Sequence, residues 1–131
     1  MYDFSVSLIC VGFDDGLIES LKQEDICVSR KGDIWRKRTG QKYQDNIVRL
    51  TLPATHDGGG YGGALDCLIA KIKNEEILLN LVSKCRVVEV QFSASIDFSD
   101  DSQSMPWLHL STQQLLFLTK INAEVDIHIS Y

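Results

Sequence analysis

Three short segments of this sequence hold the residue types that could do chemistry, and the first is a string of glycines. Gly58 to Gly63 satisfies the G-x-G-x-x-G pattern between a predicted strand and a predicted helix, which is the setting of a dinucleotide site. The loop from Pro53 to Asp57 is too long for the tight turn of such a site, and a second helix follows instead of a parallel strand. Two interpretations stay open: a flexible surface connection, or a helix start that holds an anion.

The second segment is a basic cluster between Arg30 and Lys42, in which six basic residues accompany one acid, Asp33. The arginines could bind phosphate while Trp35 stacks on a base, or Trp35 could anchor the segment to the sheet with the basic side chains in solvent. An anionic or phosphorylated ligand held by both segments would make the protein a small-molecule sensor or an enzyme. The residues predicted for this anion site are Trp35, Arg36, Arg38, Gly60 and Gly63.

The third segment is acidic and lies between the last two predicted strands. Its three aspartates lack the EF-hand spacing with its glycine and distal glutamate, so we expect a solvated loop and no metal. A methionine and a tryptophan that follow the aspartates are expected to be exposed, and apolar anchors rimmed by acids suit a basic protein partner. The predicted partner-binding residues are Asp97, Asp100, Asp101, Met105 and Trp107.

Catalysis is not predicted from the remaining candidates. No G-x-S-x-G element occurs, and the pair His56-Asp57 has no second histidine near it in the sequence. The four cysteines are far apart and sit in apolar segments, which predicts buried, reduced thiols. We therefore expect a non-catalytic protein with no catalytic residues, no cofactor and no metal.

The bulk properties indicate one globular domain over residues 1–131. The composition is 44% hydrophobic and 24% charged, and the net charge is −5, which disfavours nucleic acid as a partner. The N-terminus has neither the basic nor the apolar region of a secretory signal, and no apolar run approaches the length of a membrane span. A cytoplasmic protein that does not enter the membrane is expected; the sequence leaves its oligomeric state open.

Alternation of apolar and polar residues predicts the main strands. It is clear at 4–11 and 46–52, and most regular from Val88 to Phe98; the last segment, 123–129, is predicted to be a half-buried strand. A short strand is also expected at 26–29.

Capping residues and apolar periodicity predict the helices. Asp14 and Asp15 should begin a short helix that ends near Leu21, and Asn74 should cap the second of two consecutive helices after the glycines. Ser111 and Gln114 form a capping box ahead of the last helix, and Asn122 is a candidate left-handed residue after it. The predicted fold class is α+β, a ferredoxin-like βαββ-αα-βαβ arrangement with a mostly antiparallel sheet and helices packed on one face.

Several sequence features resemble the bacterial family catalogued as domain of unknown function 4279. They are Trp35-Arg36, a strand of V-V-E-V-Q-F type, and Leu108-His109-Leu110-Ser111 followed by a helix and an A-x-V-D-I-x-I strand. The resemblance spans 4–131, although the family has a shorter, more polar connection in place of the glycine string. It implies no established active site, and some members look like immunity proteins that block a toxin in the producing cell. The resemblance thus favours an immunity protein that binds a cognate toxin, and the acidic charge of the chain suits a basic one.

Overall fold

The computed structural model of the chain describes residues 2–21, 26–36, 40–100 and 103–131, with only the backbone described at positions 35 and 36. Two single-turn 3-10 helices, Asp15–Leu17 and Glu19–Leu21, follow the first strand. The strands are β1 (Phe4–Val11), β2 (Ile26–Ser29), β3 (Ile34–Arg36), β4 (Gln41–Lys42), β5 (Ile47–Pro53), β6 (Val87–Ser95) and β7 (Ala123–Ser130), and the α-helices are α1 (Gly60–Asn74), α2 (Glu76–Lys84) and α3 (Thr112–Lys120).

The main sheet has five strands in the order β2-β5-β1-β6-β7, and β3 pairs with β4 in a separate hairpin. β1 is antiparallel to both β5 and β6, and β2 is antiparallel to β5. β7 is parallel to β6, which is the pairing expected when a helix such as α3 connects two neighbouring strands. The sheet is therefore mostly antiparallel with one parallel edge.

The core lies between one face of the sheet and the α-helices. In β1 the alternate residues Val6, Leu8 and Cys10 are fully buried on this face, where they meet apolar side chains of α1 and α2. The opposite face carries Ser5 and Ser7 from the same strand, and no α-helix of the described chain packs there. The period-two pattern of the strands decides this division, and the predicted α+β class is confirmed.

Four details of the predicted fold were wrong or are not confirmed. The segment 14–21 forms two 3-10 turns instead of an α-helix, and Asp14 makes no side-chain cap. Asn74 is the last residue of α1, and Glu75 precedes α2 as its N-cap. β6 ends at Ser95, before Phe98. The ferredoxin-like arrangement is not confirmed, because the sheet is mixed and its five-strand order differs.

The C-terminal segment from α3 to β7 has the predicted secondary structure but not the predicted burial. Ser111 and Gln114 form the predicted capping box of α3, and Asn122 adopts a left-handed conformation with φ of 55°. β7, however, is not half-buried: Ala123 is partly buried and every later residue of the strand is exposed. The helix layer stops short of this edge of the sheet.

The cysteines also depart from the prediction of four buried thiols. All four are free, as expected, but only Cys10 is buried; Cys85 is partly buried, and Cys27 and Cys67 are exposed. The predicted apolar setting was misleading because Cys27 lies on the helix-free face opposite Arg49, and Cys67 lies on the outer side of α1.

Candidate functional site

The predicted partner-binding segment and the glycine string meet at one end of the main sheet. β5, β6 and β7 run in the same direction, so their carboxyl ends lie together. Pro53, at the end of β5, pairs with Ser5, and Ser95, at the end of β6, pairs with Ser130. The loops that follow β5 and β6 therefore start at the same end of the sheet, on either side of the first residues of β1. We call the exposed residues of 96–100 and 103–107, together with Tyr131, the end surface.

The side chain of Gln103 bridges two backbone groups in the acidic part of the end surface. Its side-chain oxygen accepts the amide of Asp97 at 2.8 Å, and its side-chain nitrogen donates to the carbonyl of Ser95 at 2.9 Å. The Asp97 carboxylate accepts the hydroxyl of Ser99 at 2.6 Å and its amide at 3.0 Å. These two hydrogen bonds hold the pKa of Asp97 below its ordinary value, so this exposed carboxylate is ionised at neutral pH.

Large apolar side chains accompany these acids. Trp107 is 87% exposed and Phe98 is 75% exposed, and Met105 is exposed as well. Phe98 stacks on Tyr131 with ring centroids 5.6 Å apart and an angle of 15° between the planes. Of the predicted partner-binding residues, Asp97, Asp100, Met105 and Trp107 are exposed at this end of the sheet, and Asp101 lies outside the described residues.

The glycine string supports the Trp107 backbone by close packing. A Cβ on Gly60 would lie 3.3 Å from Cβ of Pro106 and 3.4 Å from the carbonyl oxygen of Trp107. A Cβ on Gly63 would overlap the carbonyl oxygen of Gly58. Any larger residue at these two positions would push the chain segments apart. This role was missed from the sequence, because only the folded chain shows which segment lies against the glycines.

Two further contacts attach the neighbouring loops to one another. His56 Nε2 is 2.8 Å from the carbonyl oxygen of Ser104, which joins the loop after β5 to the connection after β6. Buried Gln114 donates through Nε2 to the carbonyl of Gly62 at 2.9 Å and to the Asp66 carboxylate at 2.8 Å. Short hydrogen bonds thus join the cap of α3 to the glycine string, and the loop after β5 to the end surface.

A cleft of about 400 Å³ beside α1 is lined by the glycine string together with Asp66, Trp107 and Gln114. The carboxylate of Asp66 repels an anion, and the Gly60 amide already donates to the carbonyl of Thr55 at 2.7 Å. The start of α1 is therefore a weaker site for an anion than the glycine pattern predicts.

The basic cluster between Arg30 and Lys42 contains the hairpin β3–β4, which we call the basic hairpin. It leaves the main sheet at the end opposite to the end surface. Ser29, the last residue of β2, pairs with Ile47, the first residue of β5, and the hairpin β3–β4 lies between them in the chain. The seven residues of β5 separate this end from the glycine string by roughly 20 Å. The backbones of Trp35 and Arg36 lie in β3, and Arg38 lies outside the described residues. The strand pairing thus separates the attachment points of the two halves of the predicted anion site.

The helix-free face of the sheet contains a shallow hollow of about 530 Å³, lined mainly by serines and threonine with Arg49 and His128. Arg49 donates to Gln91 at 3.1 Å, and Gln91 donates to Asp126 at 3.4 Å, so a hydrogen-bonded row links β5, β6 and β7 and passes over β1. Burial, together with the nearby carboxylates of Asp126 and Glu124, raises the pKa of Glu89. Charge on this face is mixed, with the acids concentrated near β7.

In comparisons with known proteins, the chain matches no family model, no curated protein and no solved structure. No helix in the described ranges has the length and apolar character needed to cross a membrane. Within those same ranges, no group of three or more His, Cys, Asp or Glu side chains is placed to hold a metal ion.

Proposed function

We propose that this chain is a non-catalytic binding protein that engages a basic protein partner through the end surface. The observation that carries the proposal is the exposure of Trp107 on a backbone segment, Pro106-Trp107, that packs closely against Gly60. Exposed tryptophan on a supported backbone is typical of a binding anchor, because its large apolar area is buried only in the complex and little ordering is required.

The charges of the end surface support a basic partner. Asp97 is ionised and exposed, Asp100 is exposed next to it, and the whole chain carries a net charge of −5. Acids around an apolar anchor speed the encounter with a basic protein and disfavour acidic competitors. The partner surface that fits is an apolar recess rimmed by lysine or arginine.

The resemblance to a family with immunity members supplies the partner class. We take the partner to be a toxin of the same cell, which this chain would block by covering its surface. On this proposal the chain needs no active site, because inhibition requires only a stable, correctly placed complex.

An anionic ligand held between the glycine string and the basic hairpin is the less favoured alternative. Asp66 lines the cleft at the glycines, and the hairpin leaves the sheet at the other end. A phosphorylated ligand that raised the melting temperature of the wild type, but not of Arg36→Ala, would favour this alternative.

The test uses the tagged full chain expressed in its own cells, beside Trp107→Ala and the control Leu79→Ala, which removes an exposed apolar side chain from α2. We expect a basic protein to be recovered in equal amount with the wild type and the control, and to be lost with Trp107→Ala. With the purified partner, Trp107→Ala should raise the Kd by about thirtyfold or more, as for a central aromatic anchor.

Toxicity provides the decisive measurement. Expression of the partner alone should arrest growth, and co-expression of the wild type or Leu79→Ala, but not Trp107→Ala, should restore it. Equal binding and equal rescue by Trp107→Ala would overturn the proposed surface, and a partner without toxicity would overturn the immunity function while leaving the surface standing.

A further inference from the structure

The outer edge of the main sheet is an unpaired, apolar strand. β7 is eight residues long and is the last strand in the sheet order, with no strand beyond it in the described chain. Val125, Ile127 and Ile129 are exposed, Ile127 at 55%, although Ile127 lies beside the buried Phe92 of β6 on the helix-covered face. A long edge strand with an exposed apolar face is a site for pairing with another chain.

The backbone N–H and C=O groups that β7 leaves open at this edge are those of its three exposed apolar residues. The Ile96 amide donates to the carbonyl of Ser130 at 2.9 Å, so the backbone polar groups of Ser130 point toward β6 and its extension. Because these groups alternate in direction from one residue to the next, those of Val125, Ile127 and Ile129 point outward. The unpaired row is therefore centred on Ile127.

We propose that a second copy of this chain pairs with β7 in antiparallel register about a two-fold axis at Ile127. Each Ile127 then faces its own counterpart, and Val125 of each copy faces Ile129 of the other. On the helix-free face, Asp126 of each copy lies opposite His128 of the other. These polar residues form the closely spaced, non-hydrogen-bonded pairs of the ladder, in which opposite side chains come nearest to each other.

The charges select this register over its neighbours. Moving the axis to Asp126 would place two like-charged aspartates opposite each other, which destabilises a ladder, and moving it to His128 would pair two histidines and lose the contact of histidine with aspartate. The Ile127 register also brings a histidine to an acidic cluster, since Glu89 and Glu124 lie beside Asp126 in the register of β6 and β7. The strand is therefore self-complementary, as an isologous two-fold interface requires.

The helix that precedes this edge strand also exposes apolar side chains. α3 contacts β7 without covering it, and its Leu115 and Leu116 are exposed. Two copies joined through β7 form one continuous sheet, and their two α3 helices then flank the joined strands. This inference does not depend on the proposed function, because Trp107 takes no part in the pairing.

Sedimentation analysis of the full chain over a wide concentration range tests the dimer. We expect a species of about 29 kDa, twice the 14.7 kDa of one chain, at high concentration. Ile127→Asp should be monomeric throughout, and circular dichroism should show it folded because residue 127 is exposed. The matched control Leu79→Asp, on α2, should remain dimeric. A wild type that stays monomeric, or a dimer that survives Ile127→Asp, would overturn the proposal.

A charge exchange tests the register. Asp126→His alone pairs histidine with histidine, and His128→Asp alone pairs aspartate with aspartate, so each should weaken dimerisation by about tenfold. The double variant with both changes restores the pairing of aspartate with histidine and should dimerise like the wild type. A mixture of the two single variants should form a mixed dimer in preference to either homodimer. Equal behaviour of all variants would exclude this register.

Discussion

The Cβ position of Gly60 lies 3.4 Å from the carbonyl oxygen of Trp107, so a glycine at the start of α1 allows the close approach of the segment that carries the exposed indole. Gly60 also has a φ of 66°, a conformation that other residues adopt at a cost. Both the contact and the conformation favour glycine, which relates the most conspicuous motif of the sequence to the presentation of a binding residue.

Gly60→Ala is expected to destabilise the fold by about 1–2 kcal/mol, because alanine is strained at this φ and its methyl group presses on Pro106. Thermal or urea unfolding measures the loss. Gly16→Ala is the matched control, since a Cβ at Gly16 meets no atom within 4 Å, and its effect should stay within about 0.5 kcal/mol. Equal losses in the two variants would contradict the packing role of Gly60.

Gln114→Ala should lower the free energy of unfolding by about 1–3 kcal/mol. Its side chain is buried and bonds to Gly62, Asp66 and the amide of Ser111, so truncation leaves these groups without their partner. Urea denaturation with the exposed neighbour Gln113→Ala as control isolates the effect of the hydrogen bonds. Two variants of equal stability would show that the Gln114 contacts contribute little.

Glu89→Gln should stabilise the protein at neutral pH and lose that advantage in acid. The pKa of Glu89 is raised above its ordinary value of 4.5 by burial and by Asp126 and Glu124, so the folded chain binds this proton more tightly than the unfolded chain. The ionised group therefore opposes folding above the folded-state pKa, and this cost disappears as the pH falls through that value toward 4.5. After solvent screening the gain is about 0.5 kcal/mol or less.

Melting temperatures of the wild type and Glu89→Gln across the acid range measure this dependence. A difference that persists unchanged well below the ordinary glutamate pKa would show that the substitution acts through packing and not through ionisation.

The thiols should react in three classes with a thiol-specific reagent under native conditions. Exposed Cys27 and Cys67 should react first. Cys10 should react only on unfolding, since it is fully buried and its pKa is raised by a hydrogen bond to Cys85 and by burial. Cys85 is partly buried and the same hydrogen bond lowers its pKa, so an intermediate rate is expected. Mass spectrometry of each labelled peptide over time gives the order, and early labelling of Cys10 would contradict it.

Local patterns predicted much of the fold correctly. Strict alternation located β1 and β5, and the capping box at Ser111 and Gln114 located the start of α3. These predictions succeeded because the hydrogen bonds and side-chain directions involved are set within a few residues. The segment 14–21 was misread because capping residues followed by apolar ones are shared by an α-helix and by short 3-10 turns.

The candidate site was only partly accessible to such reasoning. Exposure of Trp107 and Met105 was predicted from their place in an acidic loop, and both are exposed. Stacking of Phe98 on Tyr131 was missed, because alternation extended β6 through Phe98 and assigned that ring to the core. The two residues are distant in the chain and meet only because the parallel strands β6 and β7 end at the same end of the sheet.

By itself the sequence determined the α+β class, most strand positions, the cap of α3 and the uneven distribution of charge, since each depends on neighbours along the chain. Only the tertiary structure decided that the glycines approach Trp107, that the basic hairpin leaves the sheet at the other end, and that β7 has an uncovered apolar face. The physical reason is that strand order and register bring together residues far apart in the chain. An apolar residue in a strand pattern is buried only where another element of the fold covers it.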